Sequence, residues 1–93
     1  MLGAEVALVI KVVVYTKEGC HLCENVIASL KKMQERDRFE LTTEDITKDS
    51  GLFERFKDII PVVKIDGEIR LAGVALSNPN ALDSVLRRTL FSA

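Results

Sequence analysis

The feature that most constrains this chain is a pair of cysteines three positions apart, Cys20 and Cys23. They lie between an apolar run at residues 9–15 and a stretch of helical periodicity at about residues 20–36. A strand, a turn and a helix must follow one another here, with the Cys-x-x-Cys at the helix start. The first turn of a helix leaves backbone N–H groups without intrahelical partners and carries the positive end of the macrodipole. A thiolate at Cys20 is stabilised in that position, so its pKa falls and it becomes a usable nucleophile near neutral pH.

The two cysteines are not equivalent. Cys23, Val26, Ile27, Leu30 and Met33 follow the three-four spacing of one helix face, which turns Cys23 toward the core. Cys20, one turn earlier, is left at the accessible end. The pattern predicts an attacking Cys20 and a shielded, resolving Cys23. Residues three apart at a helix start can also close a disulfide without large backbone movement.

The rest of the chain supplies a sheet for this turn. Residues 9–14 are β-branched but for Lys11, as in an interior parallel strand covered on both faces. Residues 39–46 carry Glu40, Thr42, Thr43 and Glu44, a polarity that suits an edge strand. Strand, helix and strand at these lengths make a right-handed βαβ crossover. Residues 47–50 hold several N-cap candidates for a short helix with Leu52, Phe53 and Phe56 as its stripe.

Residues 59–65 and 68–72 flank Asp66-Gly67, a strong hairpin signal because both turn residues tolerate positive φ. Pro61 opens the first of these strands, where its missing N–H does least harm. Ser77 or Asn78 caps a last helix with Pro79 near its first position and Leu82, Val85, Leu86 and Leu90 on its buried face. The order β-α-β-α-β-β-α predicts an α/β fold: a four-stranded mixed sheet flanked by three helices, in a single domain over residues 1–93.

Charge narrows the partners. Lys and Arg are scattered along the helices and the formal net charge is −1, which makes no case for nucleic acid or an anionic membrane. Residues 1–7 lack the basic cluster of a secretory leader. The apolar run at residues 6–15 is too short, and with Lys11 too charged, to span a bilayer. A cytoplasmic monomer is expected. There, two closely spaced cysteines are redox groups or metal ligands rather than a structural staple.

The Cys-x-x-Cys after the first strand, the Ile60-Pro61 opening the third, and the Asp-Gly hairpin together resemble a glutaredoxin-like protein of the thioredoxin superfamily. Tyr15-Thr16-Lys17 followed by Gly19-Cys20 is similar to the glutaredoxin approach to its active site. The resemblance covers residues 9–90 and implies the thioredoxin/glutaredoxin-like fold. It places the nucleophile at Cys20, the resolving thiol at Cys23, a cis-proline at Pro61, and substrate contacts at Lys17, His21, the Ile60 backbone and Gly73. It implies thiol–disulfide exchange without a cofactor. The partners would be protein or small-molecule disulfides and a thiol donor, either a reductase or glutathione.

The chain departs from that pattern in two places. His21 stands where glutaredoxins usually have proline. The glycine pair and Ser/Thr-Asp pair that hold the γ-glutamyl end of glutathione are replaced by Ala72-Gly73-Val74-Ala75-Leu76-Ser77, without an acidic residue.

Around the cysteines, a cation at Lys17 would favour the thiolate, while Glu18 and Glu24 oppose it. His21 either adds charge below its pKa or is simply exposed. Asp45 is a buried base or, in the plainer reading, a surface cap. Two other functions use the same cysteines: a soft-metal carrier of the copper-chaperone type, and a non-catalytic interaction module. The first is opposed by the element order, because copper chaperones run β-α-β-β-α-β. Structural zinc is weaker still, since one Cys-x-x-Cys and its neighbouring histidine do not supply four tetrahedral ligands.

Overall fold

The computed structural model describes residues 9–90. The expected lead-in at residues 1–7 lies outside them. Strand β1 (Lys11–Thr16) leads to helix α1 (His21–Met33), then β2 (Glu40–Asp45) and a 3-10 turn (Ile46–Lys48). Helix α2 (Ser50–Phe56), the hairpin strands β3 (Val62–Ile65) and β4 (Glu68–Ala72), a second 3-10 segment (Gly73–Ser77) and helix α3 (Pro79–Leu90) complete the order.

The sheet runs β2-β1-β3-β4. β1 is parallel to β2 and antiparallel to β3, so the polar β2 lies at an edge as its composition demands. β1 begins two residues later than its apolar run, where Lys11 meets Glu40 of β2, and extends one further, to Thr16 opposite Asp45.

The pleat divides the core. Val12 and Val14 of β1, with Val63 and Ile65 of β3, face Val26 and Leu30 of α1 and Leu82 and Leu86 of α3. Tyr15 and Val62 point to the opposite side, against Ile46 and Phe56. Alternate side chains of one strand therefore serve both layers, and α1 and α3 cover one face while α2 covers the other. On the α2 side Tyr15 stacks on Phe56 with ring centroids 4.8 Å apart.

Each helix starts as its sequence dictates. The Asp49 carboxylate accepts the Leu52 N–H at 3.1 Å, and Asn78 Oδ1 accepts the Asn80 N–H at 2.9 Å. Asn78 rather than Ser77 is thus the cap of α3. Helix α1 ends at Met33, earlier than the periodicity to Arg36 predicts. Beyond Met33 the backbone tightens, with Glu35 N–H donating to Lys32 O and Arg36 N–H to Met33 O. The Gln34 side-chain amide donates to Phe39 O at 2.9 Å, and the Arg36 guanidinium to Asp83 of α3 at 3.1 Å.

Candidate active site

The site is assembled at one end of the sheet. Register places Tyr15, near the end of β1, opposite Val62 at the start of β3, and Val62 opposite Ala72 at the end of β4. The chain leaving β1, the chain entering β3 and the chain leaving β4 therefore converge. They bring the Cys20 turn, Ile60-Pro61 and Gly73 to the same edge, although 53 positions separate Cys20 from Gly73 in the chain.

The turn is built on glycine. Cys20 N–H donates to Lys17 O at 3.3 Å, and Gly19, the third residue of that turn, has φ +83°. This is the position where a type II turn needs glycine. The turn delivers Cys20 as the N-cap of α1, and Cys20 Sγ accepts the Cys23 N–H at 3.1 Å.

Cys20 and Cys23 are joined as a disulfide, with their Cα atoms 5.2 Å apart. Cys23 is fully buried (0% exposed), whereas Cys20 is partly open to solvent. The inequality expected from helix periodicity is present. Cys20 Sγ thus meets a backbone N–H at the start of α1.

The second wall is the loop before β3. Ile60–Pro61 is a cis peptide and Pro61 is fully buried. Ile60 packs against the α2-side core, and its backbone N–H and C=O have no backbone partner among the described residues. The Gly73 N–H holds this loop by donating to Pro61 O at 2.9 Å. Gly73 has φ +61°, and a Cβ built on it would stand 3.4 Å from Ile59 O. It is thus a point of close backbone approach at a left-handed position.

The remaining expected residues are less engaged. Lys17 is exposed and contributes its backbone carbonyl to the turn. His21 has a side chain 95% exposed, with Nδ1 3.7 Å from Glu24 Oε1; a contact this open contributes little. Asp45 is a cap: its Oδ1 accepts from Thr47 N at 2.9 Å and Thr47 Oγ1 at 2.6 Å. These bonds, the hydroxyl's first, hold its carboxyl below the usual range. Among the described residues no group of three or more His, Cys, Asp or Glu is placed to hold a metal ion. None of their helices is long and apolar enough to cross a membrane.

Two features escape sequence reasoning. The 3-10 segment Gly73–Ser77 carries Val74, 86% exposed, immediately after the glycine that touches Ile59, itself a half-exposed apolar residue. The same segment forms one wall of a recess of about 220 Å³ against Leu22, the residue between the cysteines. The α1 side of that recess is Leu22, Asn25, Val26 and Ser29; the five residues of the facing segment have no periodicity and gave no sign of it.

The sequence profile of the glutaredoxin-like domain (DUF836) matches residues 11–88. The solution structure of protein Ne2328 from Nitrosomonas europaea is 31% identical, with 82% of this chain and 89% of that one covered and a TM-score of 0.66. A mutant thioredoxin from Halobacterium salinarum NRC-1 shares the fold at 15% identity, with 90% and 76% covered and a TM-score of 0.65. The oxidised thioredoxin from Plasmodium falciparum does so at 15% identity, with 97% and 92% covered and a TM-score of 0.62. No curated protein sequence matches the chain.

Proposed function

Because the chain belongs to the glutaredoxin-like domain family (DUF836), we propose that it is a dithiol–disulfide oxidoreductase that reduces protein or low-molecular-weight disulfides. The observation that carries this reading is the Cys20–Cys23 disulfide at the start of α1, with Cys23 buried and Cys20 Sγ accepting a backbone N–H. The fold and the oxidised pair support a redox role in general; the substrates, the direction of exchange and the residue roles are the proposal.

The reaction starts from the reduced pair. Cys20 thiolate attacks one sulfur of a substrate disulfide; a Cys20–substrate disulfide forms, the substrate S–S bond breaks, and the departing thiolate takes a proton. Cys23 then loses its proton and attacks Cys20 Sγ. The intramolecular disulfide forms and the second substrate thiol leaves. Two electrons and two protons pass to the substrate, and an external dithiol or thiol donor reduces the pair again. Ile60 supplies the free backbone edge beside which a substrate segment lies, and Gly73 keeps that edge in place. The working form is a monomer acting in a reducing, cytoplasmic setting, without a cofactor.

Single-cysteine variants test the reading. Cys20→Ser loses disulfide reductase activity by at least about a thousandfold, the loss of a nucleophile on which each turnover depends. Cys23→Ser accumulates a mixed disulfide with substrate, detected as a mass adduct on Cys20. Faster alkylation of the Cys23→Ser variant than of the Cys20→Ser variant at neutral pH is the further sign that Cys20 is the ionised thiol. The reverse order exchanges the two roles. Reductase activity retained in both variants removes the exchange mechanism altogether.

A further inference from the structure

The recess that Leu22 shares with the second 3-10 segment is lined by apolar and uncharged polar side chains. Its apolar lining comes from Leu22 and Val26 of α1, Leu76 of the second 3-10 segment and Leu82 of α3. Its polar lining is Asn25, Ser29 and Ser77, whose side chains make no hydrogen bond to another described residue. No charged side chain lines it. At the start of α3, Asn78 takes the Asn80 N–H at 2.9 Å.

Its size points to a side chain rather than a whole ligand. About 220 Å³ is below the roughly 300–1,000 Å³ of small-molecule sites. Its location points to a side chain near the reacting sulfur, because Leu22 lies between Cys20 and Cys23. In an extended segment, residues two apart point to one side and stand roughly 6–7 Å apart. That is close to the roughly 7.5 Å of helix axis, five residues at about 1.5 Å each, between Cys20 and Asn25 at the near side of the recess.

We propose that this recess is a specificity subsite for an uncharged apolar side chain, such as leucine, two residues from the reactive cysteine of a protein disulfide substrate. The inference rests on Cys20–Cys23 exchange being the activity of the protein, and names the substrate class of that same site. The apolar walls desolvate the side chain, while Asn25, Ser29 and Ser77 meet the peptide backbone at the rim. An acidic side chain would lose its hydration there and gain no cation.

The test uses the full chain, reduced and freed of reductant, as the sole two-electron donor. Its substrates are three symmetrical peptide disulfides that differ only in having Leu, Gly or Asp two residues from cysteine. Second-order rates are read by acid quench and mass spectrometry, with glutathione disulfide as a fourth substrate. The Leu peptide should react about tenfold faster than the Gly peptide, equivalent to ~1.4 kcal/mol, and the Asp peptide should be slowest. Ser29→Trp, which fills the recess, and Ser77→Asp, which charges it, should each bring the Leu-to-Gly ratio toward one. Their circular dichroism verifies folding.

Equal rates for the three peptides overturn the subsite while leaving the oxidoreductase intact. So does a ratio unchanged in folded Ser29→Trp or Ser77→Asp, or glutathione disulfide outpacing the Leu peptide. Reaction with none of the four disulfides removes the exchange activity itself, and the subsite with it.

Discussion

The two ends of the sheet are made of similar parts put to opposite uses. At the hairpin end, Asp66 (φ +49°) and Gly67 (φ +88°) turn the chain between β3 and β4. There Asp66 closes on its neighbour: its N–H donates to Lys11 O at 2.8 Å and its Oδ1 accepts Lys11 N–H at 2.9 Å. At the redox end, Gly19 and Gly73 also take positive φ. There the turns leave groups accessible: a partly open Cys20 sulfur, and an Ile60 backbone edge without a backbone partner among the described residues. A turn that satisfies its own polar groups finishes a fold, whereas one that leaves them aimed outward can receive another chain. Positive φ is common to both ends, so backbone conformation alone does not distinguish a functional turn from a structural one.

The contrast is broken most severely if the open end proves to be a conventional glutathione site. Glutathione presents two carboxylates and an α-ammonium, and residues 73–77 carry no acidic partner for the ammonium. An unmet charged hydrogen bond costs about 1.5–3 kcal/mol, or roughly one to two powers of ten in affinity. Turnover with glutathione as donor should therefore be about ten- to a hundredfold less efficient than with a protein dithiol or a synthetic dithiol. Steady-state kcat/KM at matched potential measures it, and saturable turnover at ordinary cellular glutathione levels contradicts it.

A pair of glycine substitutions sharpens the comparison at smaller effect. Gly67→Ala and Gly73→Ala both place a Cβ at positive φ, costing about 1–2 kcal/mol each, or roughly 4–8 °C in Tm per kcal/mol for a domain of this size. Only at Gly73 does the new carbon also meet the Ile59 carbonyl, at 3.4 Å; at Gly67 the space is open. Gly73→Ala should add a loss of about tenfold in kcat/KM, some 1.4 kcal/mol, while Gly67→Ala leaves kcat/KM unchanged. Equal catalytic losses in the two variants would mean that the Ile59–Pro61 loop is not held in place by Gly73.

The smallest effect belongs to Asp45, where β2 reaches the redox end. Its carboxyl is held below the ordinary range by Thr47. A depressed folded-state pKa contributes stability that is fully present above the unfolded value and is lost as pH falls through the folded one. Asp45→Asn should lower Tm slightly near neutral pH, and the difference should fade below the usual aspartate range. Thermal melts from pH 7 to pH 2 follow it. A kcat/KM that falls with Tm at neutral pH would instead make Asp45 part of the chemistry.

Much of this protein is written in short-range patterns. The β-branched run of β1, the Cys-x-x-Cys at a helix start, the Asp66-Gly67 hairpin and the stripe of α3 are each local, and each was legible because periodicities of two and 3.6 residues report which face of an element is buried. The same arithmetic told Cys23 from Cys20. Cis-proline at Pro61 came from family resemblance alone, and the structure contains that cis bond.

Tertiary structure decided the remainder. Gly73–Ser77 has no period to read, and its course is set by Leu76 in the core and by Gly73 against Ile59. Past the end of α1 at Met33, Arg36 reaches Asp83 of α3, a partner 47 positions away. The meeting of Cys20, Ile60 and Gly73 at one sheet end follows from strand register across the whole domain. Short-range patterns fix what each segment can be, whereas the neighbours of a side chain are settled only when distant segments pack together.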